Sequence, residues 1–459
     1  MSTQTRRSRS ATSLATFRPR LQYLAYVYDQ LWLHVVMVGV GVGVLLIHGT
    51  DLFASSDVIG LLGWTIIVIT VAAAIWHVLS VSKTWRGVRL VQRAQDRTVQ
   101  TNDDTVVLAD AGTSGTEAIL RVVAVDEHLH ATASTTAIRA VKEPYMLPRP
   151  LRSIAPRSFR VLANRSSPDT PNRLPQWLNG KLTRLSEDIT ATSLTIQPVG
   201  FFDGQASNEL LGFQYADDPS GASVIHRQMF DQHDQVLSLS ESGLANIIGI
   251  TVFAITADGY VLFVQQGSAN AVQSCGYAAS GSGSLDWDDV GTASGAARRA
   301  NKHMSLHELL MTGMCRELAE ESQVDANEIV DGSEVVTGFF RWLSRGAKPE
   351  FTGLVKLRAT MGDLIDRQPD AQEKQYTAGR GWVPIGVLLD DADTWDVRHD
   401  GLRQSLARPQ GDTSDTHDVV IGVSTMAAWC AAADYIAANR QYLDDVVSQP
   451  HDGSTDRLT

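Results

Sequence analysis

Glu308-Leu-Leu-Met-Thr-Gly-Met-Cys-Arg316-Glu317-Leu318-Ala319-Glu320-Glu321 is the stretch on which the fold turns. Strong helix formers dominate it, and Leu310, Met314 and Leu318 recur at four-residue intervals, which builds one apolar face. Glu317, Glu320 and Glu321 stand at i, i+3 and i+4, so the same helix predicts three carboxylates converging on another face. Like charges in that arrangement repel and cost helix stability unless a cation offsets them. Hard oxygen ligands of this kind suit Mg²⁺ or Mn²⁺, which keep several waters and bridge to substrate phosphates.

Strand signals surround this helix. Ile248 to Ile255 is rich in β-branched residues, Ala257-Asp258-Gly259 is a turn, and Tyr260 to Val264 is a second apolar run. Asp-Gly between two such runs predicts a hairpin. Ser280-Gly281-Ser282-Gly283-Ser284 reads as a flexible turn whose backbone can approach a ligand closely. Strand-like runs follow the helix from Glu334 to Trp342 and from Phe351 to Leu357, and Val423 to Asn439 reads as a closing helix.

With these residues in view, the segment resembles the Nudix box, in which glycine, then glutamate, then Arg-Glu-apolar-x-Glu-Glu-x-Gly-apolar recur at fixed spacing. The chain matches at Glu308, Arg316, Glu317, Leu318, Glu320, Glu321 and the terminal apolar Val324. Trp382-Val383-Pro384-Ile385 resembles the short Trp-x-Pro segment that follows the last strands of such domains. The resemblance covers roughly residues 193 to 440, most firmly 248 to 324. It implies an α/β (α+β) fold, a Nudix-type mixed β-sheet sandwiched between helices. Two positions depart from the pattern: Lys302 stands where the family has glycine before Glu308, and Gln323 replaces the glycine at the end of the box. Trp287 to His303 reads as an insertion between the glycine loop and the helix.

The resemblance also implies a chemistry. Glu317, Glu320 and Glu321 would hold Mg²⁺ (or Mn²⁺), Arg316 would pair with the box carboxylates, and Glu308 would support the loop–helix junction. A backbone carbonyl near Gly281 or Gly283 would complete the coordination. The reaction is hydrolysis of a pyrophosphate bond in a nucleoside diphosphate-linked substrate by metal-activated water. A general base outside the box is left open among Glu350, Asp370 and Glu373, each also readable as a solvated loop carboxylate. Trp287 reads either as a base-stacking residue or as packing. The alternative function is a catalytically weak or inactive Nudix-fold nucleotide sensor coupled to an oligomerising membrane hairpin.

That hairpin is predicted from the N-terminal residues. Leu31 to Ile47 and Val58 to Val81 carry no Asp, Glu, Lys or Arg and approach the roughly 20 residues that cross a bilayer. Arg6, Arg7, Arg9, Arg18 and Arg20 precede the first run, and Lys83, Arg86, Arg89 and Arg93 follow the second. The loop between them has two aspartates and no Lys or Arg. Both termini are therefore expected on the cytoplasmic side of a plasma (inner) membrane, with the Nudix-like domain in the cytoplasm. Gly39 and Gly43 share a helix face, which fits packing within the hairpin or a homo-oligomer through it. His34 and His77 read as interfacial rather than as ligands.

The expected organisation is a basic arm at 1–30, the two-span hairpin at 31–82, a linker or small connector domain at 83–190, the Nudix-like domain at 191–440 and a polar tail at 441–459. Short strands are predicted at Thr105 to Leu108 and Ala118 to Val125, and extended segments at Leu194 to Val199 and Gly200-Phe201-Phe202. With 459 residues the chain has room for two or three domains. Its net charge of −12 argues against nucleic-acid binding through phosphate neutralisation. The resemblance implies a nucleotide-type small molecule as partner, and the two uncharged runs imply the lipid bilayer. Cys275, Cys315 and Cys430 lie far apart, in no paired metal-ligand spacing, and read as reduced thiols.

Overall fold

The structure, a computed structural model, describes residues 18, 21–23, 25–26, 68–69, 72, 76, 89–92, 105–110, 117–149, 151–152, 159, 178–216, 231–232, 235–267, 276–367, 377–389, 395–407 and 419–444. The two predicted spans, with His34, Gly39, Gly43 and His77, fall outside these residues except for Val68, Ile69, Ala72 and Trp76, which are helical. Among the described residues, no helix is long and apolar enough to cross a membrane. The chain divides into two compact units, one comprising Met1–Arg93, Leu147–Asn179 and Phe201–Gln228, the other Ala94–Met146, Gly180–Gly200 and Met229–Thr459. The segment expected as a connector at 83–190 is thus shared between the two.

In the first unit Arg89–Gln92 pairs antiparallel with Phe213–Ala216. Tyr23, Tyr26, Phe159 and Phe202 form an aromatic cluster with ring centroids 4.7 to 5.5 Å apart. Phe201 and Phe202, expected as extended, instead open a short helix at Phe201–Gln205. Burial of Phe202 in that cluster outweighs the β preference of two adjacent phenylalanines.

The second unit is mixed α/β. Its large sheet is built from β1 (Thr105–Asp110), β2 (Glu117–Val122), β6 (Gly249–Ile255), β7 (Tyr260–Gln266), β8 (Tyr277–Ala278), β9 (Gly281–Ser284), β10 (Val335–Trp342), β11 (Lys348–Lys356) and β12 (Thr377–Pro384). The order is β8-β7-β6-β11-β10-β2-β1, with β9 on β6 and β12 on β7. β6 and β11 run parallel and the other pairs antiparallel. Every residue of β6 and β11 is buried, which suits strands covered on both faces. A separate small sheet holds β3 (Ala137–Ala140), β4 (Lys181–Leu185) and β5 (Ser193–Gly200).

Two helices cover opposite faces. Alternation along β6 sends Ile250, Val252 and Ala254 toward α3 (Leu306–Ser322), where they meet Leu310, Met314 and Leu318. It sends Phe253 and Ile255 toward α7 (Val423–Ala438), where Phe253 and Phe263 pack on Trp429 at 5.6 and 5.5 Å. Close approach of α3 depends on glycine: a β-carbon on Gly313 would stand 2.4 Å from Leu285 Cδ1, and one on Gly353 would stand 2.7 Å from Met314 Sδ.

The sheet reaches back further than residue 191. β1 and β2 join it through β10, and the predicted strand Ala118 to Val125 ends early, because α1 (Val123–Thr132) begins at Val123. Asp126 of α1 is buried and explains the turn inward. It accepts from Arg121 Nε at 2.6 Å and from the Phe339 amide at 2.7 Å, where β10 shifts register between Val336 and Gly338. Arg121 also reaches Asp434 of α7 at 2.7 Å. This paired charge set ties the first strands to the last helix.

Candidate active site

β9 is the element that organises the site. The predicted flexible turn at Gly281 to Ser284 is a strand, paired residue for residue with β6 from Val252↔Gly281 to Gly249↔Ser284. Just before it, Ser280 Oγ accepts from the Ala254 amide at 2.8 Å and donates to the Leu262 carbonyl at 2.6 Å. That hydroxyl bridges β6 and β7 where the hairpin splays and makes room for β9 at the edge of β6.

α3 starts with a reciprocal cap. Ser305 Oγ accepts from the Glu308 amide at 3.2 Å, and Glu308 Oε2 accepts from the Ser305 amide at 2.9 Å. Lys302, at the position where the box pattern has glycine, pairs with the other oxygen of Glu308 at 2.5 Å. Glu308 therefore secures the junction ahead of the helix. At the other end Gln323 takes the left-handed conformation, φ 54° and ψ 40°, that a glycine adopts without strain. Its own side chain donates to the Ala319 carbonyl at 3.0 Å.

The three box carboxylates do not meet at one point. Glu317 turns inward beneath Gly283 and is only 8% exposed. A β-carbon on Gly283 would lie 2.1 Å from its Oε1. Glu320 is half-buried and accepts from Arg316 Nη1 at 3.0 Å, while Glu321 accepts from the Ser282 amide at 2.9 Å. Among the described residues, no group of three or more His, Cys, Asp or Glu forms a ready metal-ligand set. Two of the box carboxylates, Glu317 and Glu320, share Arg316 Nη1, at 2.9 and 3.0 Å, and the guanidinium offsets their mutual repulsion.

Arg316 is gripped from behind as well. Asp289 of α2 (Trp287–Arg299) accepts from Nε at 3.0 Å and Nη2 at 3.2 Å, and the Ser284 carbonyl accepts from Nη2 at 3.1 Å. Burial disfavours the arginine's charge, but Glu317 and Asp289 more than offset that and raise its pKa. Burial pushes the Glu317 carboxyl up to about 8; Arg316 works against the rise and Glu320 adds to it. Asp286 is also shifted upward, first by burial, against the pull of Arg316. A desolvated carboxylate whose single cation is shared has reason to accept further positive charge. The donors here are hard oxygens beside a strand with no side chain at Gly281 or Gly283. On both counts the residues fit a divalent cation of the Mg²⁺ class.

A cleft of about 190 Å³ lies along β9 on the α7 side. Ser282, Gly283 and Ser284 form one wall, Trp342, Arg345 and Lys348 another, and Ser424 and Thr425 of α7 close it. The Arg345 guanidinium sits 4.6 Å from the centre of the Trp342 ring. The Trp342 indole N–H is buried with no hydrogen-bond partner.

Glu350, weighed as a solvated loop carboxylate or a base, is neither loop nor solvated. It lies within β11, is 4% exposed, lines the cleft and is ion-paired with Lys348. It fills the space of a side chain on Gly249, its parallel partner, as Glu317 does for Gly283. Gly249 and Gly283 stand in opposite phases of the sheet, so the two carboxylates occupy opposite faces. Asp370 and Glu373 lie outside the described residues. Trp287 packs against the core with Lys181 Nζ 5.3 Å from its ring centre, and it is not among the residues lining the cleft.

Asp289 was missed on sequence, although Asp286-x-x-Asp289 carried a signal. It is a capping box inside the presumed insertion, and both of its reciprocal bonds form. Nothing local marks Trp342, Arg345 and Lys348, which the turn between β10 and β11 brings to the mouth of the cleft.

No protein-family model matches the chain, and no curated protein matches it. Among solved structures it is similar to the 1.9 Å crystal structure of DR0079 from Deinococcus radiodurans, at 13% identity over 34% of this chain and 82% of that one, with a TM-score of 0.20. A TM-score that low assigns neither fold nor function.

Proposed function

We propose that the chain is a membrane-anchored, Nudix-type hydrolase that cleaves a pyrophosphate bond in a nucleoside diphosphate-linked substrate, dependent on Mg²⁺ or Mn²⁺. The observation that carries this reading is the fit between Gly283 and Glu317. The box glutamate is buried in the space that Gly283 leaves on one face of β9, and the other face of that strand lines a cleft. Glu317, Glu320 and Glu321 are the residues that would hold the cation. When bound, it polarises a phosphoryl oxygen and lowers the pKa of a water.

The chain's own groups account for the rest. Arg316 Nη1 bridges Glu317 and Glu320, offsets their repulsion and fixes their rotamers, which pre-organises the oxygens. Gly281 and Gly283 let α3 seat Leu318 and Glu317 directly against β9, which brings the box to the strand whose other face lines the cleft. Arg345 supplies positive charge at the cleft, the Lys348 charge there being matched by Glu350, and the Trp342 ring supplies a planar apolar surface. Ser424 and Thr425 of α7 line the cleft's remaining side.

The anchor rests on the uncharged runs within 31–82 and their flanking basic residues. Val68, Ile69 and Trp76, helical and 57 to 75% exposed, support a lipid-facing surface there. Carbonate-resistant sedimentation of the full chain with inner membranes tests the anchor, and release into the soluble fraction would refute it.

The enzyme is tested by phosphate release from a panel of nucleoside diphosphate derivatives, using the full chain with and without Mg²⁺. Activity that needs the cation and disappears in Glu320→Gln supports hydrolysis. Tight binding of a derivative with no turnover would instead support a nucleotide sensor.

A further inference from the structure

Residues 287–303, which have no counterpart in the box pattern, carry a helix that packs on α3. Its third residue, Asp289, is 4% exposed and faces Arg316 rather than solvent. One carboxylate oxygen accepts from Arg316 Nε at 3.0 Å, the other from Nη2 at 3.2 Å, in the bidentate geometry that orients a guanidinium most firmly. The Asp286 amide donates to the same carboxylate at 2.9 Å, which fixes its rotamer. Gly313 leaves the space for it, since a β-carbon there would come within 3.2 Å of Oδ2.

Only Nη1 of Arg316 is directed at the box, 2.9 Å from Glu317 and 3.0 Å from Glu320. One unit of positive charge is thus divided between a fixed anion on α2 and two carboxylates on α3. We infer that Asp289 is a positioning residue for the divalent cation: by holding Arg316 from behind, it keeps that guanidinium from neutralising Glu317 and Glu320 and so preserves their affinity for metal. This rests on the metal-dependent reading above. Without the Asp289 charge, the whole of Arg316 turns toward the box carboxylates and competes with a cation for them. The second-sphere partner acts here by restraining a competitor, where more commonly such a partner orients a ligand directly.

The test is Mn²⁺ binding to the detergent-solubilised full chain, followed by loss of the free-ion electron paramagnetic resonance signal. Asp289→Asn keeps the shape and one acceptor oxygen but removes the charge, and it is expected to weaken Mn²⁺ binding about tenfold. Val290→Ala is the control: Val290 is a buried neighbour on the same helix, so the variant loosens α2 without touching Arg316. It is expected to lower the melting temperature and leave Mn²⁺ affinity unchanged. Unchanged affinity in Asp289→Asn overturns the inference while leaving the metal reading intact. Equal weakening in Val290→Ala also overturns it, by reducing Asp289 to a structural role. If the wild-type chain binds no Mn²⁺, or Glu320→Gln binds it as well as wild type does, the metal reading itself fails and takes the inference with it.

Discussion

The carboxylate of Glu317 lies in the space that a side chain on Gly283 would need, so that a β-carbon there would stand 2.1 Å from Oε1. Gly281, two residues earlier, faces the main chain of the same helix, and a β-carbon on it would stand 2.8 Å from the Leu318 amide nitrogen. One glycine makes room for a functional group and the other for backbone.

These two positions should therefore separate stability from activity. Gly281→Ala forces helix and strand apart and is expected to cost about 2–3 kcal/mol of stability, as overpacking does. Gly283→Ala can be accommodated by moving the Glu317 carboxylate. It should cost about 1 kcal/mol but abolish Mg²⁺-dependent turnover. Denaturant midpoints and phosphate release measured on both variants check the contrast. Equal loss of activity per unit of lost stability would count against it.

Gln323 holds a left-handed conformation that costs a residue with a β-carbon about 1 kcal/mol. Part of that is returned by its side-chain bond to Ala319. Gln323→Gly is expected to stabilise the fold by about 0.5 kcal/mol, and Gln323→Val to destabilise it by about 1–2 kcal/mol. Thermal unfolding reports both, and a lower melting temperature for the glycine variant would contradict the assignment.

Asp126 is the buried centre of a charge network. It accepts from Arg121 and from the Phe339 amide, while Arg121 and Arg398 both reach Asp434. Burial raises the Asp126 carboxyl, and Arg121 opposes the rise. Asp126→Asn leaves Arg121 buried with one anion fewer and is expected to cost about 3 kcal/mol, measured by chemical denaturation. A loss below about 1 kcal/mol would mean that the network contributes little.

Glu328 and Arg367 form a paired contact, with Arg367 Nη2 2.6 Å from Oε1. The hydrogen bond from Arg367 holds the Glu328 carboxyl below the usual carboxylate range. Its folded pKa thus lies beneath the unfolded value of about 4.3, so the stabilisation is complete above that pH and is lost as pH falls through the folded value. Glu328→Gln should cost about 1 kcal/mol at neutral pH and nothing near pH 2. Stability of the two proteins measured from pH 2 to 6 should converge at the acid end.

The α3 helix, the β6–β7 hairpin and the closing helix are legible in the sequence, because each is written in local periodicity. Four-residue apolar spacing and an Asp-Gly turn between β-branched runs are short-range signals, set by backbone geometry and one or two neighbours. The identity of the box carboxylates was likewise a matter of spacing. Their arrangement was not. Arg316, whose Nη1 reaches both Glu317 and Glu320, is also held by Asp289, which lies 27 residues away on a helix the sequence presented as a loop insertion.

Only the tertiary structure decided that Gly281 to Ser284 is a strand, that Glu350 is a buried partner of Lys348, and that β1 and β2 belong to the same sheet. A Gly-Ser segment has almost no intrinsic β preference; it becomes a strand because β6 offers it a free edge. A glutamate in a strand is exposed by default, and it is buried here because a lysine two residues away and a glycine on the neighbouring strand accommodate its charge and its volume. Local sequence fixes which groups the chain can offer. Non-local packing, which removes water and chooses each charge's partner, determines where those groups stand.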